Sequence, residues 1–295
     1  DAMLDEGFPL PEWNVDKHLA MMDNNGIGIS VLTMPAPQPW WGDAEESASI
    51  VRKVNCICAD IQRRYPDRFR FAASLPLPDV DLAIKETVYS IDTLGAVGVK
   101  LATNARGQYL GDKVLDPLME VLNERGATVI IHPHKPVPVN DSIIVTAPLA
   151  IYEYPAETTR AVINMIANGV TTRYPNIKWV VPHCGSFLPL ALIRMKGVLP
   201  IMINAGKMKP VDWETATENV YYDLAGNLTP DVLTSMLTIT APDHLVYGSD
   251  YPYVNEKGVE MSKVKVTDAL KSNSTTAAFV EDILTWNAIK LFNIR

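Results

Sequence analysis

Seven short, β-branched apolar runs recur along this chain, each closing on polar, Gly or Pro residues, and they constrain its fold more than any other feature. They cover 27–34, 69–77, 97–104, 127–134, 177–185, 220–226 and 244–251. Most read as near-continuous apolar stretches rather than strict alternation, which suits strands buried on both faces of a parallel sheet. Helical patterns lie between them. The segment 80–94 opens at Asp79 as N-cap and stops at Gly95, and 112–125 stops in the same way at Gly126. Segments 158–167 and 229–237 follow suit, and 14–25 reads as a helix ended by Gly26. Strand and helix in alternation mean an α/β protein with right-handed crossovers.

Strand starts are spaced by about 36 residues on average, against about 31 in a (β/α)8 barrel of ~250 residues. A doubly wound open sheet is the alternative, but no G-x-G-x-x-G follows the first run and no P-loop is present. The expected fold is therefore a TIM-like (β/α)8 barrel, formed as one domain over residues 1–295. Seven strands are counted where a barrel needs eight, and the chain opens on a helix. The expectation is that the first strand precedes Asp1 in the natural protein, or that the barrel is open.

Composition removes several function classes. The 26 Lys+Arg against 34 Asp+Glu give a formal charge of −8 with no basic run, which argues against nucleic acid as a partner. No run of ~18 apolar residues exists to span a bilayer, so no membrane partner is expected. The acidic, polar start shows no signal peptide. Three cysteines, Cys56, Cys58 and Cys184, are an odd and sparse set that fits a reducing cytoplasm rather than a disulfide scaffold.

A barrel places its catalytic groups at the C-terminal ends of its strands. Those ends here carry His132 and His134, then His183, Asp223 and Asp250. His18, in a helical pattern, and His244, at a strand start, are read as structural or surface residues. A lone histidine at a strand end is more often a hydrogen-bonded core residue than a ligand. The joint occurrence of His132, His183 and Asp250 at mouth positions favours a site for a divalent metal such as Zn2+. Asp223, after Tyr221 and Tyr222, is open to a purely structural reading. Trp40 and Trp41 follow the first strand and offer an apolar wall for a flat ring, or pack outside. Arg106 and Lys135 also follow strands and offer cations to a substrate carboxylate, or lie solvated at the surface.

The segments GAVGVKLATNARGQYLGD (95–112), VIIHPHKP (129–136), YPNIKWVVPHCGSFLP (174–189), NVYYDLAG (219–226) and VYGSDYPY (246–253) follow one another in an order that resembles the amidohydrolase-2 group. That group includes aminocarboxymuconate-semialdehyde decarboxylases and salicylate- and resorcylate-type decarboxylases. The resemblance runs from about Gly26 to the C-terminus, and PHCG followed some sixty residues later by YGSDYP is its specific pairing. It implies that His132 is a metal ligand, His183 a catalytic histidine near the metal, and Asp250 both metal ligand and proton carrier. Members resemble one another in an H-x-H or E-x-H at the end of the first strand; no such motif lies between Asp1 and Gly26. His132-Pro133-His134 is an H-x-H, but it matches the family's later, single-histidine position. Cys184 stands where the group more often has a small residue.

The expected activity is metal-dependent, non-oxidative decarboxylation of a small aromatic (hydroxybenzoate-like) or enolic carboxylate. Asp250 protonates the α-carbon before CO2 leaves. The cofactor is Zn2+ or Mn2+, the partner a small-molecule carboxylate, and the assembly a homodimer. One alternative keeps the metal and uses an activated water to hydrolyse an amide or lactone. Another is a barrel that binds without catalysis.

Overall fold

The computed structural model describes residues 4–5, 8–35, 40, 42–138, 148–226 and 228–294. Seven strands form one curled sheet: β1 Ser30–Leu32, β2 Phe69–Ser74, β3 Gly98–Ala102, β4 Thr128–His132, β5 Lys178–Val181, β6 Val220–Asp223 and β7 Leu245–Val246. Each strand pairs in parallel with the next in sequence, so order in space equals order along the chain. Among the described residues β1 and β7 remain the edges, and the sheet is an open barrel of seven strands. The expectation of a strand before Asp1 falls outside the described residues. Two short antiparallel pairs, Leu4–Asp5 with Phe8–Pro9 and Asn104–Ala105 with Gln108–Tyr109, add to this frame.

The helices are α1 Val15–Asn24, α2 Ala44–Arg64, α3 Val80–Asp92, α4 Asp116–Glu124, α5 Glu153–Ala167, α6 Leu188–Asn204, α7 Pro230–Met236 and α8 Glu256–Ser272, with shorter turns between. Their starts follow from capping chemistry. The Asp79 side chain accepts from Leu82 N at 2.9 Å, and Asn14 accepts from Lys17 N at 2.8 Å. Each such cap satisfies a backbone donor with no partner inside the helix, worth about 1 kcal/mol. Gly95 and Gly126 take the left-handed backbone just past α3 and α4, as their place in the sequence suggests.

Alternation along each strand sorts side chains between two cores. On β4, Val129 and Ile131 join Leu118 and Leu122 of α4 and Val162 and Ile166 of α5 in the layer between sheet and helices. Burial of each contributes roughly 1.5–3 kcal/mol. Ile130, Val180 and Val246 belong to a second cluster, where they meet Leu291 and Phe292 near the C-terminus. Thr128 Oγ1 donates to the Leu291 carbonyl at 3.0 Å, which fixes this segment as a floor beneath the starts of the strands. The opposite end is left as a mouth.

Strands are shorter than the apolar runs that announce them. The run 244–251 keeps only Leu245–Val246, because Pro242–His244 forms a 3-10 turn and Asp250 adopts φ +56°. The run 177–185 stops at Val181, before Pro182 and a left-handed stretch. Helices α2, α6 and α8 were not among the expected elements. The α6 sequence is apolar on all sides and carries Pro200, so it lacks the one-sided stripe by which an amphipathic helix is recognised.

Candidate active site at the open end of the barrel

Strand β4 ends on His132, half-buried in the mouth. Its Nδ1 lies 2.8 Å from the Pro133 carbonyl, an acceptor only, so Nδ1 carries the hydrogen and Nε2 keeps its lone pair. Burial, with smaller contributions from His183 and Lys100, holds the imidazole well below its ordinary pKa. The ring is therefore neutral, the state a metal ligand needs. The His183 ring centroid lies 5.7 Å away.

His183 sits on an unusual piece of backbone. His183, Cys184, Gly185 and Ser186 all have positive φ, at 57°, 55°, 73° and 55°. Such a backbone costs roughly 1–3 kcal/mol at each non-glycine position and persists only where neighbours enforce it. Asp223 is one such neighbour: its Oδ1 accepts from His183 N at 2.9 Å and from Ala225 N at 3.0 Å. Gly185 is another fixed point, since a Cβ there would come within 3.1 Å of the Tyr222 ring. Asp223 thus holds the His183 turn from the end of β6, and it also lines the cavity.

Asp250 follows β7 in a left-handed conformation of its own. Its carboxyl makes no hydrogen bond among the described residues, and burial foremost raises its pKa, with His183 opposing and Asp223 reinforcing. Burial likewise raises Asp223. The sequence placed His132, His183 and Asp250 at one mouth, and the structure brings all three to the wall of a single cavity of about 620 Å³. No three His, Cys, Asp or Glu side chains among the described residues lie close enough to enclose a metal ion. The donors at hand, an imidazole Nε2 with a free lone pair and an unbonded carboxylate, suit Zn2+ or Mn2+ as part of a ligand set.

Of the remaining histidines and rim residues singled out in the sequence, His18 lines this cavity too, and the others among the described residues do not. Trp40, Arg106 and Lys135 are not among the side chains lining this cavity. The Arg106 guanidinium sits over the Trp40 ring, 5.4 Å from its centroid. The Lys135 carbonyl accepts from Asn104 Nδ2 at 3.0 Å. Trp41 lies outside the described residues. At the cavity wall His18 is hydrogen-bonded on both ring nitrogens: Trp13 Nε1 donates to its Nδ1 at 2.9 Å, which leaves Nε2–H to meet Ser30 Oγ at 3.1 Å. His244 bonds the Glu218 carbonyl at 2.8 Å and stacks on Tyr221. Two residues went unnoticed in the sequence, Tyr154, with its ring 6.2 Å from that of His132, and the fully buried Glu157. For Glu157 a signal existed, because it falls on the α5 face with Ala161, Val162, Met165 and Ile166.

The amidohydrolase family profile matches residues 11–294. The chain belongs to the amidohydrolase family. The chain is 34% identical over 260 residues to the decarboxylase yanB of Aspergillus niger, covering 84% of the chain and 70% of that protein. It is 31% identical over 252 residues to the 6-methylsalicylic acid decarboxylase of Penicillium expansum, covering 83% and 77%. A crystal structure of an amidohydrolase II protein superposes with a TM-score of 0.88 at 32% identity, over 98% of this chain and 92% of that one. The dihydroxybenzoic acid decarboxylase of Polaromonas, solved with bound manganese and 2-nitroresorcinol, superposes at a TM-score of 0.77 and 23% identity, over 94% and 85%.

Proposed function

We propose that this member of the amidohydrolase family is a metal-dependent, non-oxidative decarboxylase of a small aromatic hydroxy acid. The observation that carries the reading is the convergence of His132, His183 and Asp250 on one cavity at the mouth, in a chain whose relatives include decarboxylases of aromatic hydroxy acids. His132, through Nε2, and Asp250 would hold the metal. A divalent ion held by these two residues would supply Lewis-acid polarisation of the substrate's oxygens. Zn2+ and Mn2+ both suit these donors, and manganese is the ion in the Polaromonas relative.

Asp250 delivers a proton to the ring carbon that bears the carboxylate. The carbon–carbon bond then breaks, its electron pair restores the aromatic ring, and CO2 leaves. His183 hydrogen-bonds a substrate oxygen, held by the strained turn that Asp223 fastens. Arg106 and Trp40, packed on one another outside the side chains that line the cavity, meet the substrate at the rim, with Lys135 as a further contact. A homodimer in the cytoplasm completes the reading. The free state of Cys56, Cys58 and Cys184 supports a reducing compartment, and exposed Leu190, Ile193 and Ile201 on α6 support a protein partner.

Product analysis separates this reading from metal-assisted hydrolysis. Purified protein incubated with hydroxybenzoates should release one CO2 per phenolic product and hold stoichiometric Zn2+ or Mn2+ by elemental analysis. Ring opening of a lactone, without CO2 release, would favour hydrolysis. A protein without stoichiometric metal would favour a binding barrel.

A further inference from the structure

Beyond the end of β3 the chain makes a two-residue hairpin, Asn104–Ala105 against Gln108–Tyr109, with Arg106 and Gly107 at its tip. Both tip residues have positive φ, 52° and 85°, the geometry of a type I′ turn. Gly107 adopts it freely. At the first tip position Asn, Asp or Gly is favoured, and an arginine is strained. Its side chain lies over Trp40, in the segment that follows β1. Since β2 lies between β1 and β3, these two segments meet across the end of β2 at the mouth. Among the described residues the guanidinium has no ion pair, and the buried Trp40 indole N–H has no acceptor. The described residues thus offer no oxygen to either the guanidinium or the indole N–H.

The hairpin is fastened from below by Glu157 of α5, which is fully buried. Glu157 Oε2 accepts from Tyr109 OH at 2.6 Å and from Asn104 Nδ2 at 3.3 Å, and Oε1 accepts from Arg160 Nε at 2.8 Å. Asn104 extends the network, accepting from Gly107 N at 3.1 Å and donating to the Lys135 carbonyl at 3.0 Å. Thr103 Oγ1 accepts from His134 N at 3.1 Å. One buried carboxylate therefore ties the tip of the hairpin to the loop that leaves His132.

We propose that this hairpin is a specificity arm. Arg106, with the Trp40 indole, receives an oxygen substituent of the aromatic substrate remote from the departing carboxylate. Glu157 is the positioning residue that keeps Arg106 there. The proposal rests on the decarboxylase reading for its substrate, and on the network alone for its anchor.

Hydrogen–deuterium exchange of the metal-loaded protein tests the anchor without turnover. Tyr109→Phe and Glu157→Gln should each speed exchange across 104–110 by about tenfold, while β5 and α6 keep wild-type rates. Unchanged exchange overturns the anchor. Kinetics tests the arm, using a hydroxybenzoate with a second ring oxygen. Arg106→Ala should raise KM about tenfold with kcat within about twofold. Tyr109→Phe should add nothing to Arg106→Ala, because both act through one contact. Additive penalties, or a fall in kcat at constant KM, would overturn the arm. Absence of CO2 release from the wild type removes both the decarboxylase reading and the arm, and leaves the exchange data to decide the anchor.

Discussion

At the residue level, two histidines in this protein are neutral for the same reason and serve different ends. Burial pushes the His18 pKa down to about 4. Its folded value thus lies below its unfolded value of 6.5, and the unfolded chain binds the proton more readily between the two. The stabilisation from neutral His18 is complete above pH 6.5 and is lost as pH falls towards 4, amounting to roughly 3 kcal/mol. His18→Gln should flatten the acid limb of a Tm-against-pH curve over that window; parallel curves would contradict it. His132 has its Nε2 free in the cavity instead. His132→Ala should lower metal affinity by about 100-fold or more in a competitive chelator titration. Asp250→Asn should abolish turnover while retaining part of the substrate affinity, and an active variant would remove its proton role. The sequence revealed these roles unequally. Position at a strand end marked His132, His183 and Asp250, whereas the bond that frees His132 Nε2 runs to a carbonyl and leaves no trace in residue type. Glu157 escaped notice because a carboxylate in a helix is read as solvated until the rest of its face proves apolar.

At the element level, legibility followed the strength of local chemistry. The helices opened by Asp79 and Asn14 start where their caps require, and the strands sit within the runs of branched apolar residues. The strand ends were not legible, because the left-handed turns at His183 and Asp250 are imposed by neighbours such as Asp223 that are distant in sequence. Helix α6 was invisible to periodicity because its apolar residues face every direction. Close approach of backbones gives the sharpest prediction at this scale. A Cβ on Gly98, in the middle of the sheet, would collide with the Thr128 carbonyl of the neighbouring strand. Gly98→Ala should destabilise the protein by about 3 kcal/mol or more, read as a lower urea midpoint. An unchanged midpoint would mean that β3 and β4 are spaced more widely.

For the whole molecule, the two ends of the curled sheet divide the work. Leu291 and Phe292 close the floor, and the mouth collects the polar residues that packing cannot use. On the outside, Leu190, Ile193 and Ile201 leave α6 with an apolar face in water. If that face pairs two copies, Leu190→Glu combined with Ile201→Glu should halve the mass seen by light scattering without altering the circular dichroism. A monomeric wild type would refute the pairing. Finally, every strand lies beside the one made just before it. The nascent chain never has to store an unpaired strand while awaiting a distant partner. Successive strands begin about 36 residues apart, so at ribosomal speeds each new one emerges roughly 2–7 seconds after its neighbour. The sheet can therefore be laid down like courses of brick during synthesis, with the floor formed by Leu291 and Phe292 set after the seven strands.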